Sequence, residues 1–364
     1  DGAEARASGI GCGGHEMSNF DNGINLGGWL SQYGDKGHEH FQSFITEKDI
    51  AQIASWGLDH VRLPVDYPVI ESDDAPGAPL EAGYAYIDNC LEWCAKHGLS
   101  VVLDIHEAPG FTFTNDLETE TKHRNVLFDD AAVQERFIAL WETIARRYAN
   151  APVPLIFELL NEVTLPTHDK WNALATKLHT AIRAIDSTTP IMIGGTFNNA
   201  VKGLEGLVVI EDPHLIYTFH TYEPLLFTHQ NAHWSFAPRT WAEKPSYPGT
   251  LPRLAEFLEE YPEFKGEYGD VVARHLDRNY LAGVVAPAVE FSKAHGVPLY
   301  CGEFGVADWI EPESRRRWLA DFLSITRAHS IGTALWTYKA MDFGVVNVDG
   351  SVRDPEYLEI LKGN

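Results

Sequence analysis

Residues 86–106 read YIDNCLEWCAKHGLSVVLDIH. The first part, Tyr86–His97, has helical spacing, with Cys90 and Cys94 four apart and stacked on one face. Gly98 stops the helix, because glycine takes the left-handed cap conformation without a Cβ penalty. The chain then turns straight into Leu99–Leu103, apolar but for Ser100, and ends on Asp104 and His106. Such a run suits a strand covered on both faces, as in a parallel sheet.

The same order of helix, glycine and strand recurs at Gly57 and Gly296. Thr46 with Asp49 resembles a capping box, opening a helix that ends at Trp56. Further helices are predicted near Ala131–Tyr148, Lys170–Ile185, Asn279–His295 and Pro312–His329. Strands are predicted near Gly23–Leu30, His60–Pro64, Ser100–His106, Leu155–Asn161, Ile191–Gly195, Leu215–His220, Pro298–Glu303 and Gly332–Tyr338. Eight strands alternating with helices define an α/β chain with a parallel sheet, either doubly wound or closed as a (β/α)8 TIM barrel. Eight is the barrel number, and a single barrel is the expectation. The gap between the sixth and seventh strands is too long for one helix. Its first part, 224–268, is rich in Pro, aromatics and His and is expected as an inserted subdomain over the strands' carboxyl ends. The domain reading is therefore an N-terminal arm over 1–21, either disordered or foreign to the natural chain, and a (β/α)8 barrel over 22–364.

Composition excludes several classes. Of the 364 residues, 45 % are hydrophobic and 22 % charged, an ordinary globular balance. Acids outnumber bases 52 to 28, a net charge of −24, which repels phosphate backbones and anionic lipid. Nucleic acid and membrane surfaces are thus not expected partners. No apolar run approaches the ~18 residues that a bilayer span requires. Cys12, Cys90, Cys94 and Cys301 form no CxxC metal pattern. The opening residues do not read as an intact signal peptide. A secreted protein with its signal removed and a cytoplasmic one both fit. Gly9, Gly11 and Gly14 match the dinucleotide fingerprint, but no strand precedes them and no apolar helix follows.

Polar residues gather at the strand ends: Arg62, then Asp104 and His106, then Glu158, Asn161 and Glu162, then His220 and Tyr222, then Glu303, and Trp336 on the last strand. In a barrel all of these meet at one rim. Singly, each has a bland reading: a strand-end Glu is solvated, a buried His or Trp is core, and Arg62 with Glu158 is a structural ion pair. Six strand ends converging on one rim are hard to explain by packing. A catalytic metal is not expected, since His106 and His220 stand alone on separate strands. No HExxH occurs, and His38-Glu39-His40 falls in a predicted polar loop. No GxSxG elbow is present. The two remaining rim carboxylates, Glu162 and Glu303, suit acid–base or covalent glycosyl chemistry.

At these positions the chain resembles glycoside hydrolase family 5. The matching pieces are Gly23-Ile24-Asn25-Leu26-Gly27-Gly28-Trp29, His60-Val61-Arg62-Leu63-Pro64, Asp104-Ile105-His106, Phe157-Glu158-Leu159-Leu160-Asn161-Glu162, His220-Thr221-Tyr222, Cys301-Gly302-Glu303-Phe304-Gly305 and Trp336. They occur in family order from about residue 22 onward. Within the family the chain is most similar to bacterial, clostridial-type endo-β-1,4-glucanases.

The resemblance implies a retaining, two-step hydrolysis of β-glucan without a cofactor. Glu303 would be the nucleophile and Glu162 the acid and then the base. The charge of Glu303, helped by desolvation, would raise the pKa of Glu162. Arg62 and Tyr222 would hold Glu303. Asn161 would bond the 2-hydroxyl of the reacting sugar, and His106 and His220 would position hydroxyls or carboxylates. Trp336 would form an apolar floor, with Trp29, Phe227, Trp234 and Trp309 as candidates for outer subsites. The partner is a β-glucan polysaccharide or oligosaccharide, and a monomer is expected. A β-1,3-glucanase, β-glucosidase or β-mannanase would share the mechanism, and a carbohydrate-binding barrel without catalysis is the reading from another class.

Overall fold

The computed structural model describes residues 17, 19–114 and 125–363. Its centre is a closed parallel barrel of eight strands: β1 (Asn22–Asn25), β2 (His60–Asp66), β3 (Ser100–Glu107), β4 (Leu155–Glu158), β5 (Ile191–Gly194), β6 (Leu215–His220), β7 (Leu299–Glu303) and β8 (Gly332–Leu335). β8 pairs with β1 in parallel, so no sheet edge is left open.

The helices between the strands follow local signals. Thr46 and Asp49 form the expected capping box ahead of the helix Glu47–Ser55. Asp130 accepts hydrogen bonds from the Ala132 and Val133 amides and starts Ala131–Tyr148, as Asp277 starts Arg278–His295. Gly98 (φ 73°) and Gly296 (φ 66°) end their helices in the left-handed conformation, and each leads directly into a strand.

Inside the barrel the side chains form layers, because residues two apart on a strand share a face. The lower layer is apolar and buried: Val102, Ile156, Met192, Ile216, Tyr300 and Ala334, closed from below by Met17 and Phe20. The last residues of the expected arm therefore belong to the barrel floor. Two residues further along the same strands stand Asp104, Glu158, Gly194, Thr218, Gly302 and Trp336. Polarity thus switches on within one layer step, on the side where the strands end. A second, larger core lies between the barrel and its helices, and Cys90, Cys94 and Cys301 are buried in it as free thiols.

The strands stop earlier than predicted on β1, β4 and β8. β4 ends at Glu158 rather than Asn161, although the Asn161 amide still donates to the Ile105 carbonyl at 3.0 Å. Register shifts at Val65/Asp66 and Phe219/His220 break the ladder at the same level. Leaving the ladder lets consecutive residues turn toward the mouth, which strict alternation forbids. The run His38-Glu39-His40 begins a short helix, His38–Ser43, and is not the loop that was expected. The Gly9, Gly11 and Gly14 motif and Cys12 lie outside the described residues.

The segment 224–268 contains short helices at Leu225–Thr228, Phe236–Trp241, Leu254–Glu260 and Lys265–Tyr268. Its own aromatic cluster holds it together: Phe236 stacks on Phe264 at 5.6 Å, and Phe257 lies 4.9 Å from Tyr261.

Candidate active site

Arg62 is the hub of the polar layer and is fully buried. Its Nε and Nη2 clamp Glu158 bidentately at 2.7 and 2.9 Å. Nη1 reaches Asn25 Oδ1 at 3.0 Å and Glu303 Oε1 at 2.9 Å. Nη2 also reaches Asn161 Oδ1 and Asp104 Oδ2, both at 3.0 Å. One guanidinium therefore faces three carboxylates, which hold its pKa well above the usual value against the opposing effect of burial.

The hydrogen bonds run in one direction. Asn161 accepts from Arg62 with its oxygen, so its amide nitrogen points to His106 Nε2, 3.4 Å away. His106 in turn donates from Nδ1 to Asp104 Oδ2 at 2.7 Å. The chain of donors fixes both the Asn161 amide and the His106 tautomer. Burial lowers the His106 pKa to about 3, so the ring is neutral at ordinary pH. Trp336 lies parallel to it, 5.9 Å away at 7°.

Above Arg62 stand the two rim glutamates. Tyr222 donates its hydroxyl to Glu303 Oε2 at 2.8 Å, so Glu303 is held from both sides. Burial, then the Glu303 charge, keep that phenol well above its ordinary pKa. His220 Nδ1 lies 2.9 Å from Glu162 Oε1 and 3.8 Å from Glu303 Oε2. One oxygen of Glu162, one of Glu303 and a His220 nitrogen all fall within 4.8 Å of one another. Among the described residues this is the one such group of three potential metal ligands. Glu303 in it already accepts from Arg62 and Tyr222, and Glu162 pairs with His220.

Glu162 is pushed up to about 7. Burial is the leading cause, opposed in part by Arg62 and by a hydrogen bond from Asn198. This corrects the expectation that the Glu303 charge leads: burial does, and the carboxylate that adds to it is Glu158. Burial likewise lifts Asp104 to about 7, against the pull of Arg62, and lowers His220 to about 4.

Arg62, His106, Asn161, Glu162, His220, Tyr222, Glu303 and Trp336 therefore converge as the sequence predicts. Two outer candidates do not. Trp29 is fully buried and donates its indole N–H to the Phe41 carbonyl at 2.8 Å. Phe227 is also fully buried and packs on Tyr247 at 5.7 Å. Both belong to the core between the barrel and its helices. Trp234 and Trp309 stay 47 % and 43 % exposed and meet edge to face at 5.8 Å. His229 connects them to the site, 5.1 Å from Tyr222 and 6.2 Å from Trp234.

Asn25 and Asn198 were missed as site residues. Asn25 lay within a quoted motif and carries Arg62. Asn198 is delivered by three successive left-handed residues, Phe197, Asn198 and Asn199 (φ 55–56°). Asparagine's tolerance of that region was the available signal.

Replacing Arg62 with Met would leave Glu158 and Asp104 buried without their counter-charge. Loss of one partner of a buried pair costs about 3–5 kcal/mol. Denaturant melts of Arg62→Met should show a fall of that order, and an unchanged midpoint would contradict the hub role.

The profile of the cellulase family, glycosyl hydrolase family 5, matches residues 19–342. Endoglucanase C of Acetivibrio thermocellus is 45 % identical over 347 residues, covering 95 % of this chain and 98 % of that protein. Cellodextrinase A of Ruminococcus flavefaciens is 36 % identical over 346 residues, covering 93 % and 92 %. The crystal structure of a Thermotoga maritima Cel5A mutant in complex with cellobiose superposes with a TM-score of 0.76 at 26 % identity, covering 96 % of this chain and 98 % of that one. The chain belongs to glycosyl hydrolase family 5 and is a glycosidase of the cellulase type.

Proposed function

We propose that this glycosidase is a retaining endo-β-1,4-glucanase that acts on soluble cellulose chains, cello-oligosaccharides and mixed-linkage β-glucan. The observation that carries the reading is the approach of Glu162 and Glu303 oxygens to within 4.8 Å. Retaining enzymes keep their carboxyl groups ~5–5.5 Å apart, whereas inverting ones need ~6.5–9.5 Å to admit a water between them.

Glu303 attacks the anomeric carbon. Its C–O bond forms as the bond to the leaving oxygen breaks, and Glu162 gives its proton to that oxygen. In the ester Glu303 carries no charge, which removes a like charge beside Glu162. The Glu162 carboxylate then takes a proton from water, and the water oxygen displaces Glu303 with the β configuration restored. Arg62 and Tyr222 stabilise the carboxylate as leaving group. Asn161 is placed for the sugar's 2-hydroxyl, and Trp336 gives the ring's C–H face an apolar floor.

The name of the 45 % identical relative supports an endo-acting glucanase, and that of the 36 % identical one supports action on short chains. Trp309 lines a cleft of about 800 Å³ with Gln230, His233, Lys244 and Glu311, Trp234 packs on Trp309, and this exposed pair would support sugars beyond the reacting one. The same residues support the reading of 224–268 as an inserted subdomain beside the active-site cleft of a domain spanning 22–364. A single chain supplies every group named, which supports a monomeric enzyme.

Two measurements test the reading. Proton NMR of a fresh digest should show the β-anomer first, and initial α-anomer would contradict retention. Viscosity and reducing ends should be followed on carboxymethylcellulose, barley β-glucan, laminarin and mannan. Viscosity should collapse before reducing ends accumulate on the first two. Faster hydrolysis of laminarin or mannan would move the specificity to another β-glycan.

A further inference from the structure

A second cavity opens on the helical wall of the barrel, between the helix His38–Ser43 and the helix Glu81–His97. Its volume is about 290 Å³, and it shares no residue with the catalytic site or with the cleft at Trp309. One helix face builds most of it. Tyr86, Asn89 and Trp93 follow at helical spacing, and Ala82 and Ala85 beside them are exposed and leave the space open. The fully buried Trp29 stacks on Trp93 from the core side at 6.3 Å, and Phe41 meets Tyr86 edge to face at 5.5 Å. Polar groups stand among these rings. His38 pairs with the Tyr86 hydroxyl through Nδ1 and with the Gln42 amide through Nε2, the latter at 2.9 Å. The exposed Asn89 amide makes no side-chain hydrogen bond among the described residues.

The lining selects against most ligands. None of the eight residues around the cavity is Asp, Glu, Lys or Arg, although such residues make up 22 % of the chain. A cation finds no counter-charge there, and an anion meets a protein of net charge −24. A stable protein interface engages ~20–30 residues a side, far more than these eight. Aromatic rings interspersed with amides match an uncharged pyranose, whose C–H faces pack on rings and whose hydroxyls pair with amides. We infer that this cavity is a second, non-catalytic site for a β-glucan chain. The ligand's identity rests on the glucan reading of the catalytic site. Helices return antiparallel to the strands in a (β/α)8 barrel, so Ala82, Ala85 and Asn89, in the first turns of their helix, lie toward the level of the strands' carboxyl ends. A polymer held there keeps further stretches of its chain near the cleft, whereas a cellobioside bound in the cleft gains nothing from it.

Affinity electrophoresis tests the site. The Glu303→Gln protein, which leaves the polymer undigested, is run in native gels with and without barley β-glucan. Ala85→Arg fills the cavity from an exposed helix position, and the double change Gln42→Ala with Asn89→Ala removes its amides. In that background each should weaken retardation by the glucan about three-fold or more, the worth of one or two lost contacts. In the active enzyme Ala85→Arg should raise KM on barley β-glucan by a similar factor with kcat held. On 2,4-dinitrophenyl β-cellobioside its kcat/KM should stay within about two-fold of wild type. Unchanged retardation in either variant, or equal losses on polymer and cellobioside, would overturn the site. If laminarin or mannan is instead the polymer hydrolysed fastest, the reading of the catalytic site fails, and the same gels cast with that polymer decide the cavity.

Discussion

Glu303→Gln is expected to lower kcat on β-glucan by about four orders of magnitude or more, with the fold intact. The substitution keeps the side chain's size and an oxygen for Arg62. What it removes is the charge and the nucleophile. Stability should hold or rise, because Arg62 faces Asp104, Glu158 and Glu303 together, and losing one of three carboxylates relieves repulsion within a buried cluster. The smaller Glu303→Ala variant leaves space where the carboxylate stood. Added azide should enter there and restore turnover, giving an α-glycosyl azide by a single displacement. Activity near the wild-type level in Glu303→Gln would remove this residue from the chemistry.

Glu162→Gln is expected to cost about 10²–10⁴-fold on natural glucans and far less on aryl glycosides with good leaving groups. It also has a signature in pH. The active form of Glu162 in the first step is protonated, and its pKa is raised to about 7. Wild-type kcat/KM should therefore be lost as pH rises through that value, since deprotonation removes the acid. Glutamine does not titrate, so the alkaline limb should vanish in the variant. Asp104, also near 7, is the other group that could produce such a limb. A limb that persists near pH 7 in Glu162→Gln would transfer it to Asp104 and its partner His106, and the account of Glu162 would fail.

Much of this was legible in the sequence, because the signals are local. A left-handed glycine ends a helix whatever surrounds it, so Gly98 and Gly296 marked strand starts to within a residue or two. Once eight strands close into a barrel, chain order alone brings Arg62, Glu158 and Glu303 to one rim. The aromatics were not legible in the same way. Trp29 and Trp234 are chemically alike, and only the path of the backbone buries one against the helix His38–Ser43 and leaves the other exposed beside Trp309. The strand ends were overextended because residues such as Leu159 and Leu160 keep an apolar pattern after the ladder has stopped. Asn198 acts through a left-handed turn, a tertiary feature that no periodicity announces. The leading role of burial in raising Glu162 was equally invisible, since exposure is a property of the whole mouth and not of any motif.

A slow substrate can capture the covalent bond proposed between Glu303 and the sugar. The enzyme should be incubated with 2,4-dinitrophenyl 2-deoxy-2-fluoro-β-cellobioside, digested with protease, and its peptides weighed and fragmented. The account predicts one fluorocellobiosyl group per chain, on Glu303. Finding that group on another carboxylate would contradict it.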